Sequence, residues 1–156
     1  MFNMPSVALE ITATANDVIS PCAIGESILV HASPSYLGLH LVALDSNAIS
    51  DISEHSCERP INVISFLPTG DFFYTGSQDN AVRKWNSSLV CINVSKSSCE
   101  DWVVSLSTAS RSSIVALDRI GTITLLSADD LSVQKKKKNA HQNGMTACAI
   151  SYNGQR

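Results

Sequence analysis

Charge is scarce in this sequence. Only 16% of its 156 residues are Asp, Glu, Lys or Arg, and 11 basic residues stand against 14 acidic ones, for a net charge of −3. With no global excess of positive charge, nothing draws the phosphate backbone, which argues against a dedicated nucleic-acid binder. Long hydrophobic runs are missing too. No stretch approaches the ~20 apolar residues that a membrane-spanning helix requires. The opening residues Met1-Phe2-Asn3-Met4-Pro5 carry neither a basic region nor an apolar core, so no secretory signal is expected.

Cysteines are present but not grouped. Cys22, Cys57, Cys91, Cys99 and Cys148 are odd in number and widely spaced, and no Cys-x-x-Cys pair occurs. A zinc site draws its ligands at short spacing, and His31, His40, His55 and His141 do not sit beside these thiols. No metal or cofactor is therefore expected. Cys22, Cys91 and Cys148 lie inside apolar runs, where small buried thiols are expected, and the pattern points to a reducing compartment. Two triplets, Asn86-Ser87-Ser88 and Asn93-Val94-Ser95, match glycosylation sequons. In a serine-rich chain such triplets arise by chance and carry little weight. Gly-rich phosphate loops, nucleophile elbows and His-Glu metal motifs are all absent. The sequence shows no catalytic constellation.

What is there is strand-and-turn punctuation. Hydrophobic residues make up 44% of the chain, enough for a sizeable core. They fall in short runs: 6–12, 18–24, 27–31, 39–44, 61–66, 72–75, 81–85, 89–94, 102–106, 114–117, 122–126, 131–133 and 145–150. Turn residues separate them, among them Gly25, Pro34, Pro68, Gly70, Asp79, Asn80, Gly121 and Gly154. No amphipathic helix of useful length emerges, and the chain reads as all-β. The runs also repeat. Ile61–Phe66 followed by Leu67-Pro68-Thr69-Gly70 resembles Met145–Ile150 followed by Ser151-Tyr152-Asn153-Gly154, with Val104–Arg111 in the same place between them. The starts recur at roughly 42 residues, the period of a four-stranded propeller blade.

One unit carries a specific resemblance. Its core runs from Ile61 through Pro68-Thr69-Gly70, Thr75-Gly76-Ser77-Gln78-Asp79 and Trp85-Asn86, and it is similar to a WD40 repeat. The resemblance implies an all-β WD40-like propeller of about three four-stranded blades plus flanking strands. The expected divisions are an N-terminal strand at 1–16, blades at 17–54, 55–97 and 98–140, and the start of another at 141–156. It also implies a structural hydrogen-bonded tetrad of His55, Thr75, Asp79 and Trp85. In that scheme Asp79 accepts from turn amides and from His55, His55 donates to Thr75, and Thr75 donates toward the indole of Trp85. An Asp–His catalytic dyad is the competing reading, but no nucleophile is placed beside it. The match departs from the family at Glu54-His55 and at Trp85-Asn86, where Gly-His and Trp-Asp are usual. The next unit has Ala116, Ile120 and Leu126 at the tetrad positions.

The resemblance implies a non-catalytic protein–protein scaffold or adaptor in an intracellular complex, cytoplasmic or nuclear. A nuclear RNA-associated protein is an alternative through Lys135, Lys136, Lys137 and Lys138, and a regulatory segment of a longer enzyme is another. The lysine run begins where the outermost strand of the third unit is expected to end, and its expected role is to guard an edge. Asp129-Asp130 falls in a turn, where aspartate is ordinary. Trp102 opens a strand near a propeller face, with core packing favoured over a binding hot spot. Rings need four to eight blades, and about fourteen strands fall short of the about sixteen in the smallest ring. The 156 residues are thus expected to be part of a larger propeller, ending within a turn.

Overall fold

The structure is a computed structural model. It describes residues 21–25, 27–32, 37–43, 49–52, 57–67, 70–96, 98–108, 112–141 and 146–151, with backbone only at 42 and 49–52. Among these are twelve strands and no helix. Accordingly, no helix among them is long and apolar enough to cross a membrane.

The strands form three four-stranded antiparallel meanders. The first holds β1 (Cys22–Ile24), β2 (Ile28–Ala32), β3 (Leu39–Ala43) and β4 (Ile49–Ile52). The second holds β5 (Ile61–Phe66), β6 (Phe72–Ser77), β7 (Val82–Asn86) and β8 (Cys91–Ser95). The third holds β9 (Val103–Ser107), β10 (Ser113–Asp118), β11 (Ile123–Ser127) and β12 (Val133–Lys137). Within each sheet every strand pairs with the next, and Asp79-Asn80 and Gly121 permit the tight β6–β7 and β10–β11 turns. The four-stranded blade expected at 17–54 needs a fourth strand that no apolar run marks; β4 supplies it, Ile49-Ser50-Asp51-Ile52 being too short and mixed to stand out.

Sheets pack face to face, and a core fills each gap. Between the first and second lie Val30, Leu39, Leu41, Ile61, Phe73 and Trp85. Between the second and third lie Tyr74, Val82, Val103, Leu106, Ile114 and Leu126. The second gap is closed by polar bridges as well. Tyr74 donates its hydroxyl to the Ala128 carbonyl at 2.7 Å, and Asn62 Nδ2 donates to the Val103 carbonyl at 2.9 Å. Gly76 lets β6 and β9 approach closely: a Cβ there would meet Val103 Cγ1 at 2.3 Å.

Two turns repeat an unusual backbone. Leu89 and Leu131, each between the third and fourth strands of its sheet, both have φ near 60°. A left-handed leucine is strained, but both side chains are buried, at 6% and 2% exposure. Burial of the side chain offsets that strain. It also explains why the runs at 89–94 and 131–133 were read as starting in strands: those leucines are apolar turn residues. β12 in fact begins at Val133 and takes in Lys135, Lys136 and Lys137, so three of the four lysines lie inside the outer strand and only Lys138 follows it. The expected strand at 145–150 is a second correction. Residues 146–151 form no strand; their amides at Cys148 and Ile150 donate to the hydroxyls of Ser105 and Ser107 on β9, at 3.1 and 2.9 Å. The expected strand at 6–12 lies outside the described residues.

Candidate interaction face

The polar cluster of the second sheet begins with the β6–β7 hairpin. Its alternation turns Thr75, Ser77, Arg83 and Trp85 to one side. The indole Nε1 of Trp85 donates to Thr75 Oγ1 at 3.0 Å, with both side chains buried. An indole N–H can only donate, so the bond runs opposite to the expected direction. Asp79, in the turn, accepts Arg83 Nη1 at 3.1 Å and Nη2 at 2.5 Å, the Ala81 amide at 3.1 Å and the Ser77 hydroxyl. Among the described residues no hydrogen bond joins Asp79 to Thr75 or Trp85. His55 lies outside the described residues.

Arg83 is the partner that sequence reasoning missed. Its side chain is 4% exposed and that of Asp79 is 9%. A cation set between Val82 and Trp85 in a buried strand was the available signal, because such a charge demands a counter-charge. Burial pushes the Asp79 carboxyl up, but bonds from Arg83 and Ser77 and the Arg83 charge outweigh it and hold it below its ordinary value. The same pair raises Arg83 against the effect of its burial.

The thiols differ from expectation. Cys22 is exposed, Cys91 and Cys148 are half-buried, and Cys57 and Cys99 are buried. The buried ones lie in the segments leading into β5 and β9, Cys57 in the core between the first and second sheets and Cys99 in that between the second and third. Burial pushes the Cys99 thiol up to about 11, the reverse of an activated nucleophile. His31 and His40 are direct cross-strand partners with rings stacked at 4.9 Å. Burial, then the neighbouring His40, lowers the pKa of His31. Among the described residues no group of three or more His, Cys, Asp or Glu is placed to hold a metal.

One end of the sheets gathers the β6–β7, β8–β9 and β10–β11 connections with residues 57–60 and 138–141. Backbone bonds tie them: Gln78 to Pro60 at 3.0 Å, Arg119 to Trp102 at 2.9 Å and Ala140 to Gly121 at 2.9 Å. A pocket of about 160 Å³ there is lined by Glu58, Asp79, Asn80, Ala81, Lys96 and Cys99, small beside the ~300 Å³ at which ligand sites begin. The more prominent feature is Trp102. It is not a core residue: it is 37% exposed. The Arg119 guanidinium lies 4.5 Å over its ring and donates through Nε and Nη2 to Asp101 Oδ2 at 3.1 and 3.0 Å. Ile120, beside Arg119 in the same turn, is 47% exposed. The amide of Trp102 is foremost in holding the Asp101 carboxyl below its usual range; burial opposes it, and the bond and charge of Arg119 add to the lowering.

The four lysines do not share one surface. Lys136 and Lys138 reach Glu100 Oε1, at 3.8 and 2.5 Å. Lys135 and Lys137 stand opposite Leu125 and Ile123 on the other face of the third sheet. Asp130 is spent locally: the amide and hydroxyl of Ser132 are foremost in lowering its carboxyl to about 2.

Successive four-stranded antiparallel meanders, packed face to face in chain order, define an arc of a β-propeller. Residues 46–86 match the family model for the WD domain, G-beta repeat; the chain carries a WD40 repeat, and its fold is that of WD40 propellers. No match is found among curated protein sequences. The fold is similar to the RRP9 WD40 repeats (12% identity, TM-score 0.73, covering 88% of this chain and 43% of that one). It is similar to a chain of the mitotic checkpoint complex (15%, 0.75, 88% and 44%). The computationally designed Ika4 protein is also similar (15%, 0.72, 86% and 80%). The chain thus spans less than half the length of the first two, and the likeness is one of fold.

Proposed function

We propose that this chain forms part of a WD40 propeller that acts as an intracellular, non-catalytic scaffold, binding protein partners at the end that carries Trp102. The fold supports the class, since propellers present rigid loop faces. The observation that carries the reading is Trp102 itself, exposed, held by Arg119 and Asp101, and flanked by exposed Ile120. Tryptophan and arginine are the residues most enriched at binding hot spots, and here both are rigidly positioned without a partner chain.

The test is quantitative affinity purification with the full protein, comparing wild type with Trp102→Ala and with Asp71→Ala at the opposite end. Partners recovered by wild type and by Asp71→Ala should be lost with Trp102→Ala. Equal recovery by all three would remove this face from the reading.

A further inference from the structure

The chain is acidic overall, yet beside Trp102 the outer members of two ion pairs are cations. The reason lies in how its ion pairs are seated. In the Arg119–Asp101 pair the arginine side chain is 58% exposed and the aspartate 17%. In the Lys138–Glu100 pair the lysine is 63% exposed and the glutamate 31%. In both, the carboxylate lies nearer the protein and the cation projects. Glu100 is further held by its own amide, which donates to buried Asp118 at 3.0 Å, and it is shared with Lys136. Arg119, Lys136 and Lys138 therefore stand over Glu100 and Asp101, within a backbone span of about 7 Å from Glu100 to Trp102, while the third carboxylate, Asp118, is buried beneath them. Both Arg119 bonds go to one oxygen of Asp101, and Nη1 is not part of that pair.

Resting on the scaffold reading above, we propose that this face binds an acidic peptide segment of a partner protein. Carboxylates of the segment meet Arg119 and Lys138, and an apolar side chain between them lies against Trp102 and Ile120. Charge complementarity selects the sign, and the arginine fork suits a carboxylate. A nucleic acid fits less well. Its evenly spaced phosphates would run over Glu100 and Asp101, while Lys135 and Lys137, on the other sheet face, could not join the contact.

Fluorescence anisotropy on the full chain tests this with a labelled peptide of glutamates flanking one leucine, beside matched glutamine and lysine peptides and a single-stranded RNA. The glutamate peptide should bind best, and added salt should weaken it. The double variant Arg119→Ala/Lys138→Ala should lose about tenfold or more in affinity. Lys135→Ala/Lys137→Ala should leave affinity unchanged, and thermal melts should show that all variants stay folded. Equal binding of glutamine and glutamate peptides would overturn the acidic preference, as would tighter RNA binding or insensitivity to the Arg119/Lys138 change. The scaffold reading would survive any of these outcomes, because it stands on loss of cellular partners with Trp102→Ala.

Discussion

The second and third sheets share one four-stranded meander and contrast most along one row of side chains. Across the second sheet the row is Ile64, Thr75, Arg83 and Val94. Across the third it is Leu106, Ala116, Thr124 and Lys136. Beside it, Leu126 stands where the second sheet has Trp85, and Ile120 where it has Asp79. The second sheet buries a charged pair and an indole–hydroxyl bond; the third replaces most of this with apolar contacts. One element survives in changed form. Asp118, two positions before Ile120 and fully buried, accepts the Thr122 amide at 2.7 Å and the Glu100 amide at 3.0 Å. Asp79 does the same for Ala81. The hairpin between second and third strands is therefore held by a carboxylate in both sheets, paired with Arg83 in the second and bonded to backbone amides in the third.

The largest effect should come from breaking the charged pair. Asp79→Ala leaves Arg83 buried without its counter-charge, and loss of one partner of a buried pair costs about 3–5 kcal/mol. The double variant Asp79→Ala/Arg83→Met makes the site apolar, as in the third sheet, and should recover at least about half of that loss. Urea unfolding of both variants measures the difference. An Asp79→Ala protein as stable as wild type would mean that the pair does not hold the blade.

Asp118→Ala makes the matching cut in the third sheet and should cost less, about 1–3 kcal/mol. It orphans two amides and strands no buried ion. If urea unfolding showed a loss as large as that of Asp79→Ala, the contrast between a carboxylate locked to a buried cation and one locked to backbone amides would fail.

The sheets were legible in the sequence because period-two apolar runs bounded by turn residues have few other solutions, and most strands formed within a residue or two of the runs. The misses share a physical cause. Burial depends on neighbours from other sheets, which one strand's pattern does not contain. Leu89 and Leu131 are apolar because turns pack them inward. Cys57 and Cys99 lie in polar-looking segments yet are buried in the cores between sheets, while Cys22, in an apolar run, faces outward. Thr75 and Trp85 do share a hydrogen bond, with the indole as donor, but Arg83 was passed over because the expected tetrad has no cation. Asp118 was missed because a carboxylate displaced by two positions looks like an absent one. Trp102 was assigned to the core because its stacking on Arg119, seventeen residues on in sequence terms but adjacent across the β9–β10 pairing, is a tertiary fact.

Acid separates the two sheets more gently than mutation. The folded protein holds the Asp79 carboxyl below its ordinary 3.8, so the folded state binds that proton less readily than the unfolded chain. Stability from this shift is fully present above the unfolded value and is lost as pH falls through the lowered folded one. Between neutrality and the carboxylate range, wild type should keep a constant advantage over Asp79→Ala/Arg83→Met. Below that range the advantage should shrink, because protonated Asp79 no longer pairs with Arg83. Asp118→Ala supplies the contrast, since it keeps the Asp79–Arg83 pair and should follow the wild-type acid profile in this respect. Thermal melts of the three proteins across the acidic range measure this. A gap between wild type and the double variant that stayed constant to the lowest pH would show that charge on Asp79 contributes nothing that its hydrogen bonds alone would not.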